Sequence, residues 1–215
     1  MPTAEEWESF DKTIVNCSPP GSGGIFAREL IKNNLKVKLI WARHALSELN
    51  PEGINICIIR NPYDSLASGI EVGFIDKNHN SQQEIDNYAS NTFESTLRVL
   101  PRHLQNYYEF LNACTNLKYV TPISFELLKN DPEKFLKYIS EKFKIGFKDS
   151  KNRISAENTK IQIANDPNHG TRVPRDTTRL RKDIDVVVRG YGPIEDAYKK
   201  YIVLRDNIQL TENIY

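Results

Sequence analysis

A chain of 215 residues, 39% hydrophobic and 27% charged, has the size and balance of one soluble globular domain, neither disordered nor fibrous. Its 29 basic against 28 acidic residues leave a net charge of +1, which excludes general attraction to nucleic acid and makes any anion site a local one. No apolar run reaches membrane-spanning length, and the acidic stretch Met1 to Asp11 does not read as a signal segment, so no membrane partner is expected. Cys17, Cys57 and Cys114 are odd in number and widely spaced. They read as buried reduced thiols rather than a disulfide framework or zinc site, and imply a cytoplasmic compartment and no metal.

The first predicted element is a short apolar strand, Thr13 to Cys17. Ser18-Pro19-Pro20-Gly21-Ser22-Gly23-Gly24 follows, then a helix from about Ile25 to Asn33. Strand, glycine-rich loop and helix is how backbone amides are turned inward around an anion, although a ligand-free turn shares the composition. No Gly-Lys-Ser/Thr closes the loop, so it is not the loop of ordinary nucleotide triphosphatases. A second strand is predicted at Val37–Ala42 and a third at Asn55–Arg60. The third turns at once into a helix: Asn61 suits the N-cap, Pro62 the first helical position, and Asp64 the positive end of the dipole. Arg60 at the strand end, the helix N-terminus and Ser68 two turns on offer a phosphate monoester a forked guanidinium, amides and a hydroxyl. The same spacing also suits an ordinary strand–helix junction.

Ile85, Tyr88, Thr92, Phe93, Thr96, Leu97 and Leu100 keep a helical period up to Pro101, which is expected to break or kink the helix. A further helix then runs from about Arg102 to Ala113, and a fourth strand at Leu117–Ile123. Asp131 caps a helix begun by Pro132, with Phe135, Leu136, Ile139 and Phe143 inward. From Gly146 to Lys182 the chain reads as polar and irregular. It carries Arg172, Arg175, Arg179, Arg181 and Lys182, which read as a solvated loop and helix start. A last helix, about Ile194 to Arg205, packs Ala197, Tyr198, Tyr201 and Ile202 on the body. Strands alternating with helices predict a single α/β domain over residues 1–215, a parallel β-sheet flanked by helices on both faces. Ligands in such sheets collect at the carboxyl ends of strands, where Cys17, Ala42, Arg60 and Ser124 fall.

In this order the elements resemble the soluble sulfotransferases that use 3′-phosphoadenosine 5′-phosphosulfate (PAPS). Pro20-Gly21-Ser22-Gly23-Gly24-Ile25-Phe26 is similar to that family's 5′-phosphosulfate loop, Pro-Lys/Arg-Ser-Gly-Thr-Thr-Trp. Arg60-Asn61-Pro62-Tyr63-Asp64 with Ser68 is similar to its 3′-phosphate element, Arg-Asn-Pro-x-Asp-x-x-x-Ser. Leu39 to Leu46 lies where the family has a strand ending in Lys-Thr-His-Leu-Pro, which puts His44 on the general base. Phe125-Glu126-Leu127-Leu128-Lys129-Asn130-Asp131-Pro132 looks like its Tyr-Glu-Asp-Leu-Lys-x-Asp-Pro segment. The resemblance covers most of residues 12 to 145 and implies a P-loop-like sulfotransferase architecture. It implies PAPS as donor, 3′-phosphoadenosine 5′-phosphate (PAP) as product, and a small-molecule or glycan acceptor bearing a hydroxyl or amine.

By the same resemblance His44 is catalytic, and Gly21, Ser22, Gly23, Gly24, Ile25, Phe26, Arg60, Ser68, Phe125, Arg181 and Lys182 bind cofactor. Phe26 and Phe125 flank the adenine, whose flat faces suit aromatic rings. Arg181-Lys182-Asp183 stands for the family's Arg-Lys-Gly cover segment, with Asp183 in place of glycine. His103 is a further candidate for the acceptor pocket; His79 and His169 have no comparable context. In one respect the chain departs from the family. The family's loop cation aligns with Gly21, and the lysine before the histidine aligns with Ala42. Arg43, Arg28 or the distal basic cluster is expected to substitute. Gly21→Lys is expected to restore the contact if position 21 does not require positive φ. The alternatives are a non-catalytic nucleotide-binding protein on the same fold, or a divergent small-molecule kinase.

Overall fold

Alternation of apolar residues decides the architecture. In the third strand Ile56 and Ile58 point to one side and Cys57 and Ile59 to the other, and all four are buried, so both faces of the sheet are covered. In the computed structural model, which describes residues 12–76, 83, 86, 87, 90–165 and 177–212, the strands are β1 (Thr13–Cys17), β2 (Leu39–Arg43), β3 (Ile54–Ile59) and β4 (Val120–Ser124). They form one parallel sheet in the order β2-β1-β3-β4. The chain is therefore α/β, as its strand–helix alternation predicts.

The described helices are α1 (Gly24–Asn34), α2 (Pro62–Asp76), α3 (Thr92–Asn116), α4 (Phe125–Asn130), α5 (Pro132–Phe143), α6 (Ala156–Asn165), α7 (Thr178–Gly190) and α8 (Ile194–Glu212). One face of the sheet packs Ile14, Ile40, Ile56, Ile58 and Ile123 against α1, α4 and α5. The other packs Cys17, Cys57 and Ile59 against α2, α3, α7 and α8. From β1 the chain crosses to β2 on one side and later to β3 on the other. The order reverses between β1 and β3, and at such a switch point a crevice opens beyond the strand ends.

Four sequence expectations are corrected. Pro101 neither breaks nor ends its helix; α3 runs through it from Thr92 to Asn116. Pro101 is exposed, so the Leu97 carbonyl to which it offers no amide lies on the solvent side of the helix. Buried Leu100, Leu104, Tyr107, Phe110 and Leu111 hold the helix on both sides of it. The segment read as irregular contains α6, whose only buried residue is Thr159, and the start of α7. A helix with so narrow an inward face leaves little apolar period in sequence. The last helix continues to Glu212, and β2 ends at Arg43 rather than Ala42. Ile85, Tyr88, His79, His169, Arg172 and Arg175 lie outside the described residues. Among the described residues no helix is long and apolar enough to cross a membrane.

The buried thiols have a measurable consequence. Burial pushes Cys17 up to about 12 from an ordinary value near 9, and raises Cys57 as well. Above pH 9 the unfolded chain loses protons that the folded chain keeps, so the thiols' contribution to stability falls as pH rises from about 9 towards 12. Native protein at pH 8 should leave Cys17, Cys57 and Cys114 unreacted with a thiol reagent, with all three titrating after urea unfolding. Rapid reaction of any one in the native state would contradict its burial.

Candidate functional site

The glycine-rich loop is held from below by a buried polar network. Ser18 Oγ donates to Asn16 Oδ1 (2.6 Å) and accepts from the Ile58 amide (2.8 Å), while Asn16 Nδ2 donates to the Gly24 carbonyl (2.8 Å). Every polar atom of this bridge is used within it, which fixes where the loop leaves β1. From the side the loop is hooked to α2. Ser65 Oγ donates to the Pro20 carbonyl (3.0 Å) and, its proton committed, accepts from Ser22 Oγ (2.9 Å).

Gly21 sits at φ +78°, and a Cβ there would lie 2.3 Å from the Ser65 carbonyl oxygen and 2.7 Å from the Gly69 amide. Only glycine fits that conformation against another backbone. The condition attached to Gly21→Lys therefore fails, and a lysine cannot be seated at this position. Gly23, at φ +83°, is the N-cap of α1 and has no side-chain cap; the first turn carries no acid. The amides of Gly24, Ile25 and Phe26 precede the first intrahelical bond, from the Ala27 amide to the Gly23 carbonyl (3.0 Å). They are the outward-directed donors of a helix start.

Arg60 joins the second element to the first. Asn61 caps α2 as its sequence predicts: its Oδ1 accepts from the Tyr63 amide (3.0 Å) and its carbonyl from the Ser65 amide (2.9 Å). The Tyr107 hydroxyl, from α3, donates to the Arg60 carbonyl. The Arg60 side chain turns inward, donating from Nη1 to the Gly21 carbonyl (2.8 Å) and lying 4.5 Å over the Phe125 ring. Burial lowers its pKa, Asp64, Glu126 and Asp185 oppose that, and Arg181 adds to it. Arg181 thus shares the electrostatic field of Arg60. Ser68 adjoins the loop, its Cβ 2.9 Å from where a Gly21 Cβ would stand.

His44 follows β2. Its Nδ1 lies 2.7 Å from the Ser18 carbonyl oxygen, which only accepts, so Nδ1 carries a proton and, in the neutral ring, the lone pair is on Nε2. That is the tautomer a general base requires. The neighbouring turn is pinned by Cys17 Sγ, which donates to the Ala45 carbonyl (3.0 Å). His44 and Pro20 form one side of a cleft of about 500 Å³. Arg98, Val99, Arg102, His103 and Asn106 of α3 form the other.

The remaining sequence candidates are distributed as follows. Phe125 has Arg60 on its face and its ring edge against Gly23, while Phe26 lies under Lys160 Nζ at 5.6 Å. Both expected adenine-flanking rings therefore stand beside the loop with a cation over each. Arg181 is on α7 rather than in a loop, paired with Glu71 (3.0 Å) and Asp185 (3.1 Å). With Lys182 it lines a separate hollow of about 630 Å³. Of the cations expected to replace the one missing at Gly21, Arg28 pairs with Glu29 (2.6 Å), and the Arg43 side chain lies outside the described residues. Sequence reasoning missed Arg98, Arg102 and Asn106. Their spacing, four residues apart, puts them on one helix face, but nothing local told that this face lines a cleft rather than solvent. Ser65 and Gly69, which seat the loop, were also missed. No known protein family matches the chain, and no curated protein is significantly similar to it.

Proposed function

We propose that the chain is a PAPS-dependent sulfotransferase on a P-loop-like sulfotransferase architecture. The observation that carries the reading is the hydrogen bond from Arg60 Nη1 to the Gly21 carbonyl (2.8 Å). It joins the two elements that sequence offers separately for anion binding, beside the switch point between β1 and β3, and so supports reading them as one site. Ser68 adjoins the same loop and His44 borders the cleft beside it. The loop amides and the α1 N-terminus would take the 5′-phosphosulfate, and Arg60 and Ser68 the 3′-phosphate. Arg181 and Lys182 of α7 would approach from the Arg60 side.

In the reaction the acceptor's oxygen or nitrogen attacks sulfur, and its proton passes to His44 Nε2. The bond from sulfur to the bridging oxygen breaks, and its electron pair stays on the phosphate of PAP. The loop amides and the α1 N-terminus stabilise that charge, since Gly21 supplies none. Sulfuryl transfer needs alignment more than covalent help, and the cleft holds the acceptor on the His44 side of the loop.

Arg60→Ala is expected to weaken PAP by about 1.5–3 kcal/mol more than adenosine 5′-phosphosulfate, which lacks the 3′-phosphate. Because Nη1 also holds the loop carbonyl, both ligands lose something; the difference between them carries the assignment. Equal losses by calorimetry would remove the 3′-phosphate from Arg60. Ser68→Ala should act in the same sense and more weakly. A second reading, a nucleotide-binding protein without transfer activity, is favoured by the backbone contact that bars a cation from position 21. PAP binding with no labelled sulfate transferred to any of a panel of acceptors selects it, and preference for ATP over PAP selects a kinase.

A further inference from the structure

We infer that the cleft between His44 and α3 takes an acceptor that is itself an acid: a sugar-sized hydroxyl compound carrying a carboxylate or sulfate. This rests on the sulfotransferase reading for what becomes of the bound molecule. The argument begins with charge. Arg98 and Arg102 are four residues apart on α3, a spacing at which like charges repel, and neither is in an ion pair among the described residues. Both line a cleft of about 500 Å³ in which two imidazoles, His44 and His103, also stand. Among the described residues no carboxylate lines it. Two guanidiniums side by side in a cleft with no lining carboxylate among the described residues are complementary to an anion, and their forked donors suit a carboxylate or sulfate best.

The opposite requirement comes from His44, whose Nε2, with Nδ1 held on the Ser18 carbonyl, is free to take a proton from a hydroxyl or amine. The ligand therefore carries an anionic group for Arg98 and Arg102 and a hydroxyl or amine proton for His44.

The test compares p-nitrophenyl β-D-glucuronide, p-nitrophenyl β-D-glucoside 6-sulfate and neutral p-nitrophenyl β-D-glucoside by calorimetric titration, with PAP titrated in parallel. For wild type at least one charged glycoside is expected to bind about 10-fold or more tighter than the neutral one. In Arg98→Gln/Arg102→Gln that advantage should collapse while the neutral glycoside binds as before. The carboxylate and sulfate arms report which anion is preferred. Both arginines are exposed, and circular dichroism checks that the variant is folded. Equal affinities for charged and neutral glycosides in wild type overturn the inference without any variant, as does an advantage that survives the double substitution. PAP binding without charge preference sinks this inference alone. Charge preference without PAP binding supports the anionic ligand and sinks the transferase reading instead.

Discussion

His44→Ala is expected to lower turnover by roughly 10²–10⁴-fold while leaving PAP affinity nearly unchanged. The His44 ring is exposed and belongs to neither core cluster, so its removal costs little packing. What it removes, on the proposed sulfotransferase reading, is the base whose tautomer is set by the Ser18 carbonyl, with Nε2 turned to an acceptor proton. The turn that carries it stays anchored by Cys17 to Ala45 and keeps the cleft's shape. Single-turnover transfer from labelled donor, with calorimetric PAP binding on the same preparation, separates the two quantities. Full turnover in the variant would move proton removal elsewhere in the cleft, with His103 the next position to test. Loss of PAP binding or of folding would make His44 a structural residue.

Gly21→Lys is expected to destroy the site rather than complete it. A side chain at φ +78° costs about 1–2 kcal/mol, and overpacking against α2 about 1–3 more, so a loss of about 2–5 kcal/mol is expected. A Cβ 2.3 Å from a backbone carbonyl has no flexible neighbour to displace, so the loop must lift from Ser65 and take Arg60's partner with it. Gly21→Ala should show most of the same loss, because the clash begins at Cβ. Gly73 supplies the control: it lies inside α2 with nothing within 4 Å of a built Cβ, and Gly73→Ala should stabilise by about 0.5–1 kcal/mol. Urea melts of the three variants, with PAP binding measured on each, decide the matter. A Gly21→Ala protein as stable as wild type would refute the close approach, and a Gly21→Lys protein that gains transfer activity would restore the role expected of that position from sequence.

Local chemistry along the chain was enough to determine the strand β1, the helix it feeds, the junction at Arg60 and the caps at Asn61 and Asp131, because each depends on neighbours within a few residues. The parallel α/β class was legible for a related reason: apolar strands alternating with amphipathic helices leave few other ways to bury both faces of a sheet. Pro101 and α6 were misread because tertiary packing outweighs local propensity, holding a helix through a proline and adding one with almost no apolar face. The meaning of Gly21 was not local either. The sulfotransferase resemblance leads one to expect a cation there, whereas the fold shows a backbone seated on Ser65 and Gly69, residues more than forty positions away. The cleft was likewise beyond reach. Arg98, Arg102 and Asn106 share a helix face by period alone, but only the docking of α3, with Tyr107 on the Arg60 carbonyl, sets that face opposite His44. Spacing tells which side chains share a surface; what that surface meets depends on contacts between distant segments, and those exist only once the chain has folded.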